Sequence, residues 1–536
     1  MRIGLLHGYE LSGSGSNEYT RYLARALARA GHEVEVLCRE PRPEAIEGAL
    51  RAFRWTADGT CSELSCRRSD APGFTIHCLP HADVRPVFVT DKQRTGNVKA
   101  FVDLSAAELE ETRRIWTQAV AAVLARHTVD VLHANHVVLQ PTIAADACRP
   151  LGVPFVIYPH GSAIEYTVRI QERYRTLAHD AIEAAAGLII GSREVQGRLL
   201  DLFDDLRDRI RERTEIVGVG VDTDLFSPIS RSGRARSIAR LRESKLTGGK
   251  PPELRAELRR RLLSGDIEAV RAQRDAYVHD RPDADMSEHL ARIPWTDGKI
   301  VLFVGALTVG KGLQSVIAAM PAVLKAVPDA HLVIVGSGAY REVLEGLVDG
   351  IAARDEPLVG GLVSRGNDLD DTHLEGPWED VLRHLVEPSR RAVLFCAGPR
   401  FAEHVHFLGR LDHELLRHLF PCADVAVFPS VIPEAYPLVL MESLSNGVLP
   451  AASSFSGFAE GLDLLVPHLG EELVERMRLP LEPELRVQGI ADRLASLLGE
   501  ATAPDLPQRL RAIAVAEYDW AVRAEAMVRA YRRFAG

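Results

Sequence analysis

Short apolar runs alternate with helical patterns along the first 228 residues. RIGLL is followed by the amphipathic stretch NEYTRYLARALARAG and then by HEVEVLC; VDVLHA, PFVIYPHGS, the helical TLAHDAIEAAAG, LIIGS and EIVGVGV continue the series. Such alternation predicts βαβ units on a parallel sheet with right-handed connections, because parallel neighbours need a crossover. From residue 300 the pattern restarts with KIVLFVGAL, the helical LQSVIAAMPAVLKAV, AHLVIVGSG, RAVLFCAG, VHFLGRL, DVAVFPS, a helix opened by PEAYPLVLMES, and LPAASS. The expected fold class is therefore α/β, with two doubly wound parallel-sheet domains in series, 1–228 and 300–515. Ligands of such sheets bind beyond the carboxyl ends of the strands, and a cleft between two such domains is the natural site.

Two stretches break the alternation. Residues 229–299 are helix-prone and lack strand signals, and within 229–265 eleven Arg and Lys stand against three Glu. A basic helical insertion of this kind is either a solvated excursion or a surface for an anionic acceptor or membrane. Inside it, RPDADMSE with Asp283 and Asp285 reads as a turn away from any strand end. Residues 346–390, with VGGLVSRGNDLDD and a helix near 378–386, read as a surface excursion without chemistry.

Composition narrows the function classes. A chain of 536 residues exceeds one hydrophobic core. A net charge of −10 gives no general affinity for nucleic acid or anionic membrane. No apolar run approaches the roughly 20 residues that span a bilayer. MRIGLLHGYE reads as a first strand and not as a signal peptide, so the cytoplasm is the default location. Seven scattered cysteines without a C-x-x-C support neither a zinc site nor a disulfide framework. Abundant Ala and Arg with scarce Lys are what a GC-rich bacterial genome would give.

Five junctions could carry chemistry. SGSGSNEY, with Gly13 and Gly15, opens the first helix and suits a phosphate or sugar, because backbone N–H groups and the helix dipole favour negative charge there. A dinucleotide fingerprint, with Glu40 as its ribose acid, fails on spacing: Glu18 stands where the third small residue belongs. FVGALTVGKGL is the equivalent junction of the second domain, and Lys311 there suits a diphosphate or is a lysine in a surface turn. PHGSAIEY puts His160 just past a strand end, either to contact a sugar hydroxyl or to cap a loop. VLHANH offers His133 and His136, with no third ligand patterned for a metal; His404 and His406 alternate along a strand start and read as edge positions. In PEAYPLVLMES, Pro437 suits a helix first turn and Asn446-Gly447 a stop, so Glu434 falls in the preceding loop and Glu442 inside the helix.

Taken together, these segments resemble the retaining glycosyltransferases of family 4, which have the GT-B fold of two facing Rossmann-like domains. SGSGS, GHEVEVL, VLHANH, PHGS and VGVDTDLFSP match that family's N-domain landmarks in order. FVGALTVGKG resembles its G-R-x-x-x-x-K-G diphosphate loop, and LVIVGSG, VHFLGRL, ADVAVFPS and the E-x7-E of Glu434 and Glu442 follow. The resemblance covers most of 1–228 and 300–460 and leaves the two interruptions unexplained.

The resemblance implies metal-independent transfer, without a cofactor, from a nucleoside-diphosphate sugar to an acceptor. A UDP-sugar such as UDP-GlcNAc or UDP-glucose is the expected donor. Glu442 would hold the two ribose hydroxyls. Glu434, with Ala435 and Tyr436, would face the transferred sugar. Lys311, Gly305 and the amides of Leu438 and Val439 would meet the diphosphate. Gly409 and Arg410 would read the base through backbone groups. Gly15 would approach the diphosphate or acceptor, His160 would lie near the donor sugar, and His133 and Glu165 would stand on the acceptor side. A helix over 516–536 would cross back to the N-domain. Ala306 departs from the family's usual Arg or Lys and removes one positive charge, and Pro437 stands where the family has Gly. The same fold also hosts phosphorylases and epimerases, and Ala306 is the feature that would suit a nucleotide-sugar-binding protein with weak turnover.

Overall fold

The computed structural model describes residues 1–536 apart from 14, 68, 81, 89–96 and 371–373. The chain divides into two compact units, one formed by Met1–Asp222 with Ala516–Gly536 and one by Thr223–Val515. Residues 229–299 therefore fold as part of the second unit.

The first unit carries β1 (Arg2–Leu6), β2 (Glu33–Cys38), β3 (Ala49–Trp55), β4 (Cys61–Cys66), β5 (Phe74–Cys78), a small pair β6 (Arg85–Val87) and β7 (Val98–Ala100), then β8 (Val131–Asn135), β9 (Phe155–Tyr158), β10 (Gly187–Ile190) and β11 (Thr214–Ile216). Nine of these make one sheet in the order β11-β10-β9-β8-β1-β2-β5-β3-β4. All its pairings are parallel except β3 with β4. β1, β8 and β9 are almost wholly enclosed, as strands covered by helices on both faces must be. Strand order reverses between β1 and β8, which opens a crevice past their carboxyl ends. The β3–β4 hairpin lies in a stretch where the sequence shows no strand signal.

The second unit carries β12 (Lys299–Val304), β13 (Ala330–Val335), β14 (Val405–Phe407), β15 (Val425–Phe428), β16 (Leu449–Ser453) and β17 (Arg478–Leu479). They form one parallel sheet in the order β14-β13-β12-β15-β16-β17, reversing between β12 and β15.

Two expectations are corrected here. RAVLFCAG is not a strand but the end of helix Pro388–Cys396. Pro388 fits the first turn, and Glu387 caps it through the Ser389 N–H at 3.2 Å. Residues 346–390 are no surface excursion: Leu347, Ile351, Val359 and Leu362 are fully buried, and Asp380 accepts from Ser315 Oγ at 2.5 Å. The insertion directs part of its basic side chains inward, while Arg236, Arg240, Arg242, Lys245, Arg259 and Arg260 stay exposed. Arg231 and Arg234 bind buried Asp424, both at 2.9 Å. Lys250, fully buried, contacts Glu342 at 2.9 Å and Glu345 at 2.5 Å. Arg255 pairs with Asp283 and Asp285, and Arg261 with Asp266. These inward cations are neutralised within the unit.

Candidate functional site

At the reversal point of the second sheet, the loops leaving β12 and β15 meet. The chain leaves β12 through Gly305, Ala306 and Leu307, makes a turn over Val309–Lys311, and enters helix Leu313–Ala326. Gly312 between them has φ +70, and a Cβ there would lie 1.9 Å from the Pro429 carbonyl, so only glycine allows the two loops to touch. Val431 N–H donates to the Gly310 carbonyl at 2.8 Å, and Asp370 Oδ2 accepts from Val309 N–H at 2.7 Å. Asp370 comes from the segment that the sequence offers as an idle excursion.

This scaffold brings Lys311 Nζ onto Glu434 Oε1 as an ion pair, 123 positions apart in the chain. Ser430 Oγ lies 3.1 Å from both Glu434 Oε1 and the Gly310 carbonyl, locking the carboxylate to the glycine turn. Behind it, the Glu434 carbonyl accepts from Gly457 N–H at 2.9 Å and from Ser456 Oγ at 2.7 Å. Lys311 and Glu434 side chains keep 30% and 21% of their surface exposed, enough for a ligand to reach both. Helix Leu438–Ser445 then starts at Leu438 and Val439, with Pro437 at its N-cap rather than in its first turn. The first amides of a helix have no intrahelical acceptor and point toward where an anion would sit. Ala435 and Tyr436 belong to the loop between. Glu442 is buried one turn into this helix, and its carboxylate oxygen lies 3.2 Å from His413 Nε2.

β14 leads through Leu408 into Gly409 and Arg410, and here the sequence reading of RPDADMSE is overturned. Arg281–Asp283 docks on this strand end: Asp283 N–H donates to the Leu408 carbonyl at 3.0 Å and Arg410 N–H to the Arg281 carbonyl at 3.2 Å. Gly409, at φ +76, leaves room for Asp283, whose Oδ1 would meet a Cβ at 2.7 Å. Asp283 is fully buried and takes a bidentate ion pair from Arg341 at 2.8 and 2.5 Å, plus Arg255 at 2.8 Å. The Arg410 amide, expected to read a base, is thus already engaged by the insertion. Sequence reasoning missed this because the signal is a pairing 58 residues apart.

The first unit ends its strands differently. His7 after β1 stacks on His136 after β8, ring centroids 5.7 Å apart, and His136 lies 4.7 Å from His160. His160 is half-buried, with Nε2 2.9 Å from Asn135 Oδ1. Both His136 ring nitrogens are buried without a partner among the described residues. Burial pushes the His7 imidazole down to about 4 and those of His136 and His160 well below their ordinary value. His133 is corrected: it does not face an acceptor but is enclosed in the core, bonded to Tyr531 Oη at 2.8 Å and held down to about 3 by burial. Glu165 is half-buried and bound by Arg169 at 3.2 Å and Arg198 at 3.3 Å. Gly15 is the first residue of helix Gly15–Arg29, whereas Ser14 of the SGSGS loop lies outside the described residues, as does Asp371 of GNDLDD. Glu40 is a buried loop brace, accepting from Leu11 N–H at 2.9 Å. His404 and His406 flank and lie on the edge strand β14, His406 buried against His331 at 3.1 Å.

Glu35, His77 and His127 also cluster, with His77 Nε2 2.7 Å from Glu35. Trp55 donates its indole N–H to His77 Nδ1 at 3.0 Å. Nε2 must then carry the proton and donate to Glu35, leaving no lone pair for a metal.

Two family models match the chain: Glycosyl transferase 4-like domain over residues 14–218, and Glycosyl transferases group 1 over 285–372 and 400–469. A phosphatidyl-myo-inositol mannosyltransferase of Mycobacterium tuberculosis is 27% identical over 242 residues, 45% of this chain and 48% of that protein. The chain thus spans about half the length of the curated relatives it matches. The catalytic domain of starch synthase IV from Arabidopsis thaliana, bound to ADP and acarbose, superposes with TM-score 0.55 at 13% identity, covering 100% of this chain and 99% of that one. HepE of Anabaena in complex with UDP superposes with TM-score 0.53 at 13% identity, covering 99% of each. With both family models matched in order and two doubly wound sheets in place, the chain belongs to the glycosyltransferases of the family 4 type and has the GT-B fold.

Proposed function

We propose that the protein is a retaining glycosyltransferase that takes its sugar from a nucleoside diphosphate, with a UDP-sugar as the leading donor. The observation that carries this reading is the Lys311–Glu434 pair at the β12/β15 reversal, beside the open N-terminus of helix Leu438–Ser445. A leaving diphosphate gains negative charge as the glycosidic bond breaks. Lys311 and the amides of Leu438 and Val439 supply fixed positive charge and dipole for it. Glu434, steadied by Ser430, lies where it would stabilise an oxocarbenium-like sugar and position it, with no covalent role assigned. Glu442 would anchor the ribose. Because Lys311 does the neutralising that a bound cation does elsewhere, the proposed reaction needs no metal. His160 and Gly15 are the first unit's proposed contributions to the reaction.

HepE with UDP and starch synthase IV with ADP support a nucleotide ligand, and the mannosyltransferase relative supports a hexose, without fixing either for this chain. Since the Arg281 carbonyl occupies the Arg410 amide, base recognition falls to other groups of the β14 loop or of the insertion. A second reading, a nucleotide-sugar-binding protein with weak turnover, draws on Ala306 alone.

The test is a panel of UDP-, GDP-, ADP- and TDP-sugars incubated with wild type and Glu434→Ala, following nucleoside diphosphate release and the anomer of freed sugar by NMR. Release from one donor, lost in the variant and first giving the donor's own anomer, is the expected result. Tight binding without release would select the binding protein, and turnover only with inorganic phosphate would select a phosphorylase.

A further inference from the structure

We infer that His413 is a positioning residue for Glu442, setting the carboxylate that holds the donor ribose; the inference rests on the proposed function and names a residue outside the E-x7-E motif. Glu442 is 4% exposed, and among the described residues His413 is the cationic or proton-donating side chain recorded against it, Nε2 to Oε1 at 3.2 Å. A carboxylate only accepts, so this nitrogen carries the proton and donates. One oxygen is thereby fixed and the other is left for hydroxyl donors. A buried carboxylate without such a donor would be costly in the absence of ligand and free to rotate away from the ribose.

His413 is itself held from two sides. It is the first residue of helix His413–Leu419, whose N-terminus Asp412 caps through the Leu415 N–H at 2.9 Å. The Phe226 ring meets its imidazole edge to face, centroids 5.4 Å apart. Phe226 is 1% exposed, and its carbonyl accepts from Ser445 Oγ at 2.7 Å and from Arg511. Ser445 lies on the same helix as Glu442, so the segment TDLFSP ties the imidazole and the carboxylate helix into one rigid group. The histidine therefore orients; it does not touch the reacting sugar.

The experiment is calorimetric titration of UDP and of 2′,3′-dideoxy-UDP into wild type, His413→Gln and His413→Phe. Wild type should bind UDP at least tenfold more tightly than the dideoxy analogue. His413→Phe should lose most of that preference while binding the dideoxy analogue as before. His413→Gln, whose amide can still donate, should keep it. Equal weakening of both nucleotides in the Phe variant, or an unchanged preference, would overturn the positioning role alone. A wild type that binds UDP no better than its dideoxy analogue would overturn the ribose assignment of Glu442 and the inference with it. One that binds neither would overturn the UDP donor, the same pair of titrations then being made with the nucleoside diphosphate released in the donor panel. Melting temperatures of the two variants separate loss of fold from loss of orientation.

Discussion

Both sheets reverse strand order at equivalent points, between β1 and β8 in the first unit and between β12 and β15 in the second. The chains that leave those strands nevertheless carry opposite chemistry. In the first unit the crevice end is filled with uncharged rings: His7, His136 and His160 stack or tilt on one another, and Tyr19 packs on Tyr158 at 4.4 Å. Burial holds these imidazoles neutral at physiological pH. In the second unit the same place holds glycine turns, a Lys311–Glu434 ion pair and a buried charge network behind the β14 end. A neutral, hydrogen-bonding end suits a polyhydroxylated partner, whereas fixed charge beside helix amides suits a diphosphate. One architecture thus supports two binding chemistries because the strands set only the position of the loops.

Breaking the charged side at its most buried point should have the largest effect. Lys250→Met leaves Glu342 buried without its cation and Glu345 with Arg341 alone, and removing one partner of such a network costs about 3–5 kcal/mol. Urea denaturation should show that loss, while Arg260→Ala, a surface pair with Glu257, should leave the midpoint where it was. If Lys250→Met is neutral, the network is not what holds Arg281–Asp283 on β14.

The next largest effect is on turnover. Glu434→Ala should lower donor turnover by about 10²–10³-fold, the usual cost of removing one group aimed at developing charge. Lys311→Ala should cost a similar factor, and the double variant little more than either, because the two act as a pair. Steady-state release of nucleoside diphosphate measures all three. Fully additive losses would mean that Lys311 and Glu434 serve separate steps.

The neutral side should be sharpened by acid. His7 and His133 titrate at about 4 and about 3 when folded and near 6.5 when unfolded. Below about 6.5 the unfolded chain therefore binds protons that the folded chain refuses, and stability falls as pH drops from about 6.5 toward 4. Each such histidine contributes up to about 1.4 kcal/mol per pH unit across that window. His133→Gln, which keeps a partner for Tyr531, should flatten the pH dependence of urea unfolding by about that slope. An unchanged slope would mean that His133 does not contribute to the acid sensitivity of the first unit's core.

How much of this was legible from residues alone differs between fold and site. β1, β8, β12, β13 and β15 could be read because doubly covered parallel strands are near-continuous apolar runs. RAVLFCAG could not, since a short buried helix shows an apolar run of the same length, and the deciding signal was Pro388 and Glu387 just before it. Lys311 and Glu434 were each visible as loop residues, but their pairing depended on the resemblance to a known motif order. Asp283 was invisible in kind: two aspartates in a turn look alike whether solvated or locked between Arg341 and Arg255, and only the folded chain brings those arginines near. His136 and His160 lie just past strand ends as the sequence suggested, whereas His133 lies in the middle of β8, and whether such a residue faces a ligand or the core depends on the helix packed over it. For His133 that helix includes Tyr531, nearly 400 residues away.

The smallest predicted effect tests whether the charged end is complete. Ala306 is exposed, one residue past Gly305, whose N–H donates to the Val335 carbonyl at 3.0 Å, and one before Leu307, whose N–H donates to the Ser337 carbonyl at 2.9 Å. Backbone anchored on both sides should accept a longer side chain without moving, so Ala306→Arg should leave stability unchanged. A second cation near the diphosphate should tighten nucleoside diphosphate binding several-fold, about 1 kcal/mol for a charge-assisted contact open to solvent. Because that contact is solvent-screened, the gain should shrink between 50 mM and 500 mM salt. A gain in affinity matched by a gain in turnover would place the missing charge in the transition state. A gain in affinity alone would mean that Lys311 and the amides of Leu438 and Val439 already meet the demand of the leaving diphosphate, and that the second unit works with one cation.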